Sequence, residues 1–88
     1  MKSYYLYILF SEKLSRYYIG ISYDPELRLH FHNTSHKGWT RRGRPWHLVF
    51  KKDFSDRKEA QYWEDWLKRQ KSHSVIEKVI QGEFIWEE

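Results

Sequence analysis

A few polar side chains stand out for what their types and positions could do. Tyr7 and Tyr18 place phenols within two otherwise apolar runs. Arg28 and His32 fall one helical turn apart, side by side on one helix. Glu64 lies one position past Trp63 and four past Ala60, so it borders the apolar stripe of its helix. A carboxylate there must find a cation, a hydrogen-bonding partner or water. Each residue also has a purely structural account. Strand tyrosines pack their rings and let the hydroxyl reach water, Arg28 can be a solvated charge, and an ion pair between Arg28 and Glu64 would satisfy both. His30, His32 and His36 lie close together, but His30 and His32 are about 200° apart on a helix and no fourth ligand for zinc accompanies them.

The charge distribution adds a second kind of chemistry. The chain of 88 residues carries a net charge of +4, but the stretch between Glu26 and Asp53 contains Arg28, Lys37, Arg41, Arg42, Arg44, Lys51 and Lys52 and no acid. Such asymmetry is what a polyanion-binding surface leaves in a sequence, the alternative being a solvated basic loop. There are 5 Trp, 7 Tyr and 5 Phe, rings large enough to give a short chain a core, and no cysteine, which excludes a disulfide framework and the common Cys-based metal sites. No apolar run is long enough to span a membrane, and no charged-then-apolar leader is visible, so a small soluble domain in the cytoplasm is expected.

These residues must be positioned by a short series of elements. Tyr4 to Phe10 and Arg16 to Ser22 read as a β-hairpin, with Leu6 and Ile8 on one face and Tyr5, Tyr7 and Leu9 on the other. In the second strand Tyr17, Ile19 and Ile21 oppose Tyr18, Gly20 and Ser22. Pairing the aliphatic faces leaves Tyr7 and Tyr18 together, although a slip of one residue would reverse this. Asp24-Pro25 opens a helix that ends near Asn33-Thr34. A basic loop follows from Ser35 to Pro45, then a third strand from Trp46, continuing towards Phe54. Asp56 and Glu59 start a second helix reaching about Gln70, with Ala60, Trp63 and Leu67 buried. Ser74 and Glu77 form a capping box for a third helix through Ile80, ending near Gly82. The acidic tail from Glu83 has no assigned role. The expected fold is α+β, a single domain over residues 1–88 of order β-β-α-β-α-α, with a small, mainly antiparallel three-stranded sheet flanked by helices.

Four features in this order resemble the GIY-YIG nuclease superfamily. Tyr5-Leu6-Tyr7 and Tyr18-Ile19-Gly20 look like its paired motifs, Arg28 follows Tyr18 by ten residues, and Glu59-Ala60 precedes Glu64 as in the family's glutamate helix. Gly20-Ile21-Ser22, His32-Asn33, and Thr40-Arg41 before Arg44-Pro45 are similar to its small single-domain branch, and the likeness spans Tyr4 to Ile80. Within the superfamily the chain is also similar to the amino-terminal nuclease domain of the bacterial excision-repair endonuclease. It departs from the family pattern at Tyr5 in place of glycine, Ile21 in place of a lysine and Ile76 in place of an asparagine.

The resemblance implies a divalent-metal-dependent endonuclease that hydrolyses DNA phosphodiester bonds in repair or recombination. Glu64 would hold Mg²⁺ (or Mn²⁺), Arg28 would grip the scissile phosphate, and Tyr18 would be the general base, with Tyr7 holding it and the water in line. His32 would be a supporting donor or a packing residue. Lys37, Trp39, Thr40, Arg41, Arg42 and Arg44 would hold the nucleic acid, with Trp39 able to stack on an unpaired base. DNA is the expected partner, and a separate protein could supply substrate choice. The alternative reading is a nucleic-acid-binding module of the same fold with weak or no activity.

Overall fold

A strand covered on both faces is apolar on both, and this is why Tyr4 to Phe10 shows little polar alternation. In the computed structural model, which describes residues 3–34 and 38–87, that run becomes β1 (Tyr4–Ser11), the central strand of the sheet. β2 (Arg16–Ser22) and β3 (Trp46–Phe54) flank it in the order β2-β1-β3, both pairings antiparallel. α1 (Pro25–Thr34) follows β2, a short 3-10 turn (Trp39–Gly43) precedes β3, and α2 (Arg57–Gln70) and α3 (His73–Gln81) close the order. The α+β fold class and the antiparallel sheet are as expected from the sequence. The basic loop is better ordered than expected, since the 3-10 turn occupies its second half. His36 and Lys37 lie outside the described residues.

The expected hairpin register holds: Tyr7 faces Gly20, Ile8 faces Ile19 and Leu9 faces Tyr18. Leu6 and Ile8 therefore join Ile19, Phe54, Ala60, Trp63, Leu67, Ile76 and Val79 in one core cluster. Tyr7 and Leu9 pack with Trp46 in a second cluster, with Leu14, Tyr18, Leu29 and Leu48 against it. A bulge lets β3 serve both. Ile8 pairs with Phe50 and Leu9 with Leu48, leaving Val49 as the extra residue, so Phe50 packs on the first cluster and Leu48 on the second. Without it, residues 48 and 50 would share a face.

Two local readings are corrected. α3 is capped by Ser72, whose Oγ accepts the Val75 N–H at 3.4 Å, and not by Ser74. Lys71 ends α2 in the left-handed conformation (φ 49°), so Ser72 is already extended and can cap at once, which puts Ser74 inside the first turn. The tail, to which the sequence assigned no role, completes the first cluster. Past Gly82 (φ 82°), Phe84 and Trp86 fold back. Trp86 stacks on Phe50 (centroids 6.0 Å, planes 12° apart) and meets the edge of Trp63 at 5.3 Å. Glu83, Ile85 and Glu87 alternate with these rings and face water.

Candidate active site

The hairpin builds the first wall of the site. Gly20 lies opposite Tyr7, and the tyrosine ring lies over it: a Cβ at position 20 would stand 2.6 Å from the Tyr7 hydroxyl and 2.7 Å from its ring carbon. Only glycine permits that approach, and the Tyr7 ring is 1% exposed as a result. Tyr18, two residues earlier on the same face of β2, places its ring 6.3 Å from that of Tyr7.

α1 supplies the second wall, and both of its ends are tied down. Asp24 Oδ1 accepts the Leu27 N–H at 3.1 Å, as an N-cap should, and Pro25 stands buried behind it. At the other end the Asn33 carboxamide accepts the Trp46 N–H (2.6 Å) and donates to the Trp46 carbonyl (3.1 Å), clamping α1 to the start of β3. An exposed ion pair, Lys51 to Glu26 at 2.8 Å, links the same two elements. Between these ties Arg28 lies against the Tyr7 hydroxyl and His32 is buried beside Tyr18, ring centroids 4.4 Å apart. His32 Nδ1 shares a 3.3 Å hydrogen bond with Thr40 Oγ1, while its buried Nε2 has no hydrogen-bond partner among the described residues.

α2 contributes Glu64, 9% exposed. Its Oε1 accepts from Gln61 Nε2 at 2.7 Å, and its Oε2 lies 3.5 Å from Lys68 Nζ. The cation paired with Glu64 is thus Lys68, one turn further along α2, while Arg28 turns to Tyr7. Lys68 is not among the residues expected at the site, although its i,i+4 spacing from Glu64 is a signal for the pair.

These groups act on one another electrically. Burial pushes the Tyr7 hydroxyl above its ordinary pKa; Arg28 opposes the rise, and Tyr18 and Glu64 add to it. Tyr7 therefore keeps its proton at neutral pH. His32 is pushed the other way, first by burial and then by the Arg28 charge, so its imidazole is neutral there.

The basic turn is held from beneath. The Trp46 indole N–H donates to the Thr40 carbonyl at 2.6 Å and the Ser11 hydroxyl to the Gly43 carbonyl at 2.7 Å. Arg44 donates to the Arg41 and Asn33 carbonyls, both at 3.2 Å, so much of its guanidinium braces the turn. Thr40 is buried and turned towards His32, whereas Trp39, Arg41 and Arg42 are exposed. The structure thus brings Tyr7, Tyr18, Arg28, His32 and Glu64 together, sets Trp39 beside Tyr18 (6.1 Å) and gives Thr40 and Arg44 internal partners.

Among the described residues no group of three or more His, Asp or Glu could hold a metal ion. His32 is engaged with Thr40 and His30 is exposed, so no zinc site forms from them. Glu64 alone fits a different donor set. Mg²⁺ and Mn²⁺ are commonly held by one or two carboxylates, with substrate phosphate oxygens and water completing the shell. A nearly buried carboxylate whose present partners are a half-exposed ammonium and an amide suits a cation that arrives with a phosphate.

The same residues fall within a known family. The family described as the GIY-YIG catalytic domain matches residues 3–77. The solution NMR structure of a UPF0213 protein from Bacillus halodurans is 28% identical, with a TM-score of 0.56, the match covering 90% of this chain and 83% of that one. No curated protein matches the sequence. Among the described residues no helix is long and apolar enough to cross a membrane.

Proposed function

The chain belongs to the GIY-YIG catalytic-domain family, and from that premise we propose that it is a divalent-metal-dependent endonuclease hydrolysing DNA phosphodiester bonds, with repair or recombination as its setting. The observation that carries the reading is the convergence of Arg28, Tyr18, His32 and Glu64, from three different elements, around the buried Tyr7 phenol.

A phosphodiester is anionic and repels hydroxide, so the site must supply positive charge and an oriented water. Arg28 donates a charge-assisted fork to the scissile phosphate and stabilises the charge that develops there. Tyr18, acting as its phenolate, is the base that takes the water's proton and becomes the neutral phenol. Tyr7 keeps its own proton and orients Tyr18 and the water by hydrogen bonding, which is what its raised pKa suits it for. His32, neutral and with Nε2 unpartnered, supplies a further hydrogen bond beside Tyr18. A divalent cation held by Glu64 would add Lewis-acid charge at the phosphate. Trp39, Arg41 and Arg42, with Lys37, hold the nucleic-acid backbone.

A second reading, a DNA-binding module without activity, is favoured by one observation: Lys68 and Gln61 already satisfy Glu64. One experiment separates the two. Labelled duplex, flap and junction DNA is incubated with wild-type protein or Glu64→Ala in Mg²⁺, Mn²⁺ or EDTA. The nuclease reading expects metal-dependent cutting by wild type alone, with DNA affinity retained in the variant. Binding by both proteins and cutting by neither would establish the module instead.

A further inference from the structure

Next to the site, two hollows form a track that shares Tyr18, Trp39 and Arg42 with it and runs on beyond it. The first, about 550 Å³, lies between the edge strand β2 and the α2–α3 junction; Tyr18, Trp39, Arg16, Lys68 and Lys71 are among its walls. The second, about 440 Å³, continues past Arg16 and Trp39 to Lys13 and Arg42. Arg16 and Trp39 belong to both, so the hollows adjoin. Their charged walls, among the described residues, are Lys13, Arg16, Arg42, Lys68 and Lys71, with no carboxylate lining either one. Trp39 stands at the junction, 48% exposed, its ring held edge-on by Trp46 at 5.8 Å and thus open to stacking on a free face.

Resting on the nuclease reading, we propose that this track binds an unpaired DNA strand that continues from the scissile phosphate, so that flap or single-stranded DNA is preferred to plain duplex. Pockets of a few hundred Å³ admit single nucleotides; a base-paired duplex can only lie across their mouths. A cationic track with an exposed indole is the usual means of holding a single strand, since the cations follow the phosphates and any base can stack. Lys68 joins the track to the site: it lies against Glu64 and also lines the first hollow, where its ammonium would meet a phosphate. Duplex-only binding would leave the track without an occupant.

The test uses wild-type protein in EDTA, where binding is measured without cleavage, by fluorescence anisotropy on a labelled single strand, a flap and a blunt duplex. Single strand and flap should bind roughly ten-fold or more tighter than duplex, and Trp39→Ala should remove most of that preference, as expected for loss of one stacked base. The double variant Arg16→Gln/Lys71→Asn keeps the exposed surface polar, and asparagine tolerates the left-handed backbone at position 71. It should weaken single-strand and flap binding and flatten their salt dependence, with duplex binding unchanged. Equal affinity for all three DNAs, or variants that weaken all three alike or none, would overturn the inference. Cleavage in Mg²⁺ then separates the two claims. Strand preference with no cutting of any DNA removes the nuclease and leaves the track; duplex and flap cut equally, with the double variant unaffected, removes the track and leaves the nuclease.

Discussion

The two faces of the sheet are built to different standards. Beneath α2 and α3 the contacts are hydrocarbon on hydrocarbon: Leu6, Ile8 and Ile19 meet Trp63, Leu67 and Val79, and the tail adds Phe84 and Trp86. Beneath α1 and the 3-10 turn the cluster is smaller, and the buried Tyr7, His32 and Thr40 carry polar atoms that each need an answer. β1 serves both because its side chains alternate. The difference teaches that one face supplies the stability that allows the other to hold an incompletely satisfied group, His32 Nε2, and a pair of perturbed pKa values. Glu64 stands on the helix of the first face, yet its charge acts on Tyr7 of the second.

Substitutions on either face put that contrast to the test. Trp63→Ala strips the dry face of the ring that Trp66, Phe84 and Trp86 all touch, and should cost about 3–5 kcal/mol in urea denaturation. A loss below about 1 kcal/mol would show the aromatic cluster to be loose. Gly20→Ala tests the other face. The new methyl meets a tyrosine that has nowhere to retreat, so cleavage should fall by about 100-fold from misplacement of Tyr7. Stability should fall by only about 1–3 kcal/mol, read by the same denaturation. If Gly20→Ala destabilised more than Trp63→Ala, the division of labour would be reversed.

Asn33→Ala should cost about 1–3 kcal/mol by leaving the Trp46 N–H and carbonyl without their side-chain partner. A melting curve measures the cost, and an unchanged curve would show that water replaces the clamp. The smallest effect concerns pH. The folded state holds the His32 pKa below its ordinary 6.5, so the unfolded chain takes up this proton first as pH falls. The stability present above that value should decline as pH falls through the window beneath it. Comparing denaturation midpoints at several pH values with those of His32→Gln isolates this slope, and parallel profiles would show that His32 titrates normally.

Much of the site was legible along the chain because its residues sit in elements with strong local signals. The Asp24-Pro25 start fixes the phase of α1 and so sets Arg28 and His32 side by side, and the Asp56 cap does the same for Glu64 on α2, its Oδ1 accepting the Glu59 N–H at 2.9 Å. The pairing of Tyr7 with Tyr18 was legible only once the aliphatic faces were matched, since a slip of one residue would have put the two on opposite faces. What escaped has a common cause. The inward turn of Thr40, the bracing by Arg44 and the return of the tail onto Phe50 each join positions that no periodicity relates.

Sequence by itself determined which segments are strands and helices, where most of them begin, and which residues share a face, because capping, φ restriction and the 2.0 and 3.6 residue periods act within a few residues. Tertiary structure alone decided that Arg28 answers Tyr7 while Lys68 answers Glu64, and that Gly20 is the space the Tyr7 ring fills. It also opened the cationic track along β2. Side-chain partners across a fold are chosen by distance and desolvation in three dimensions, and a cation's type and position in the chain do not reveal which nearby carboxylate, phenol or phosphate it will meet.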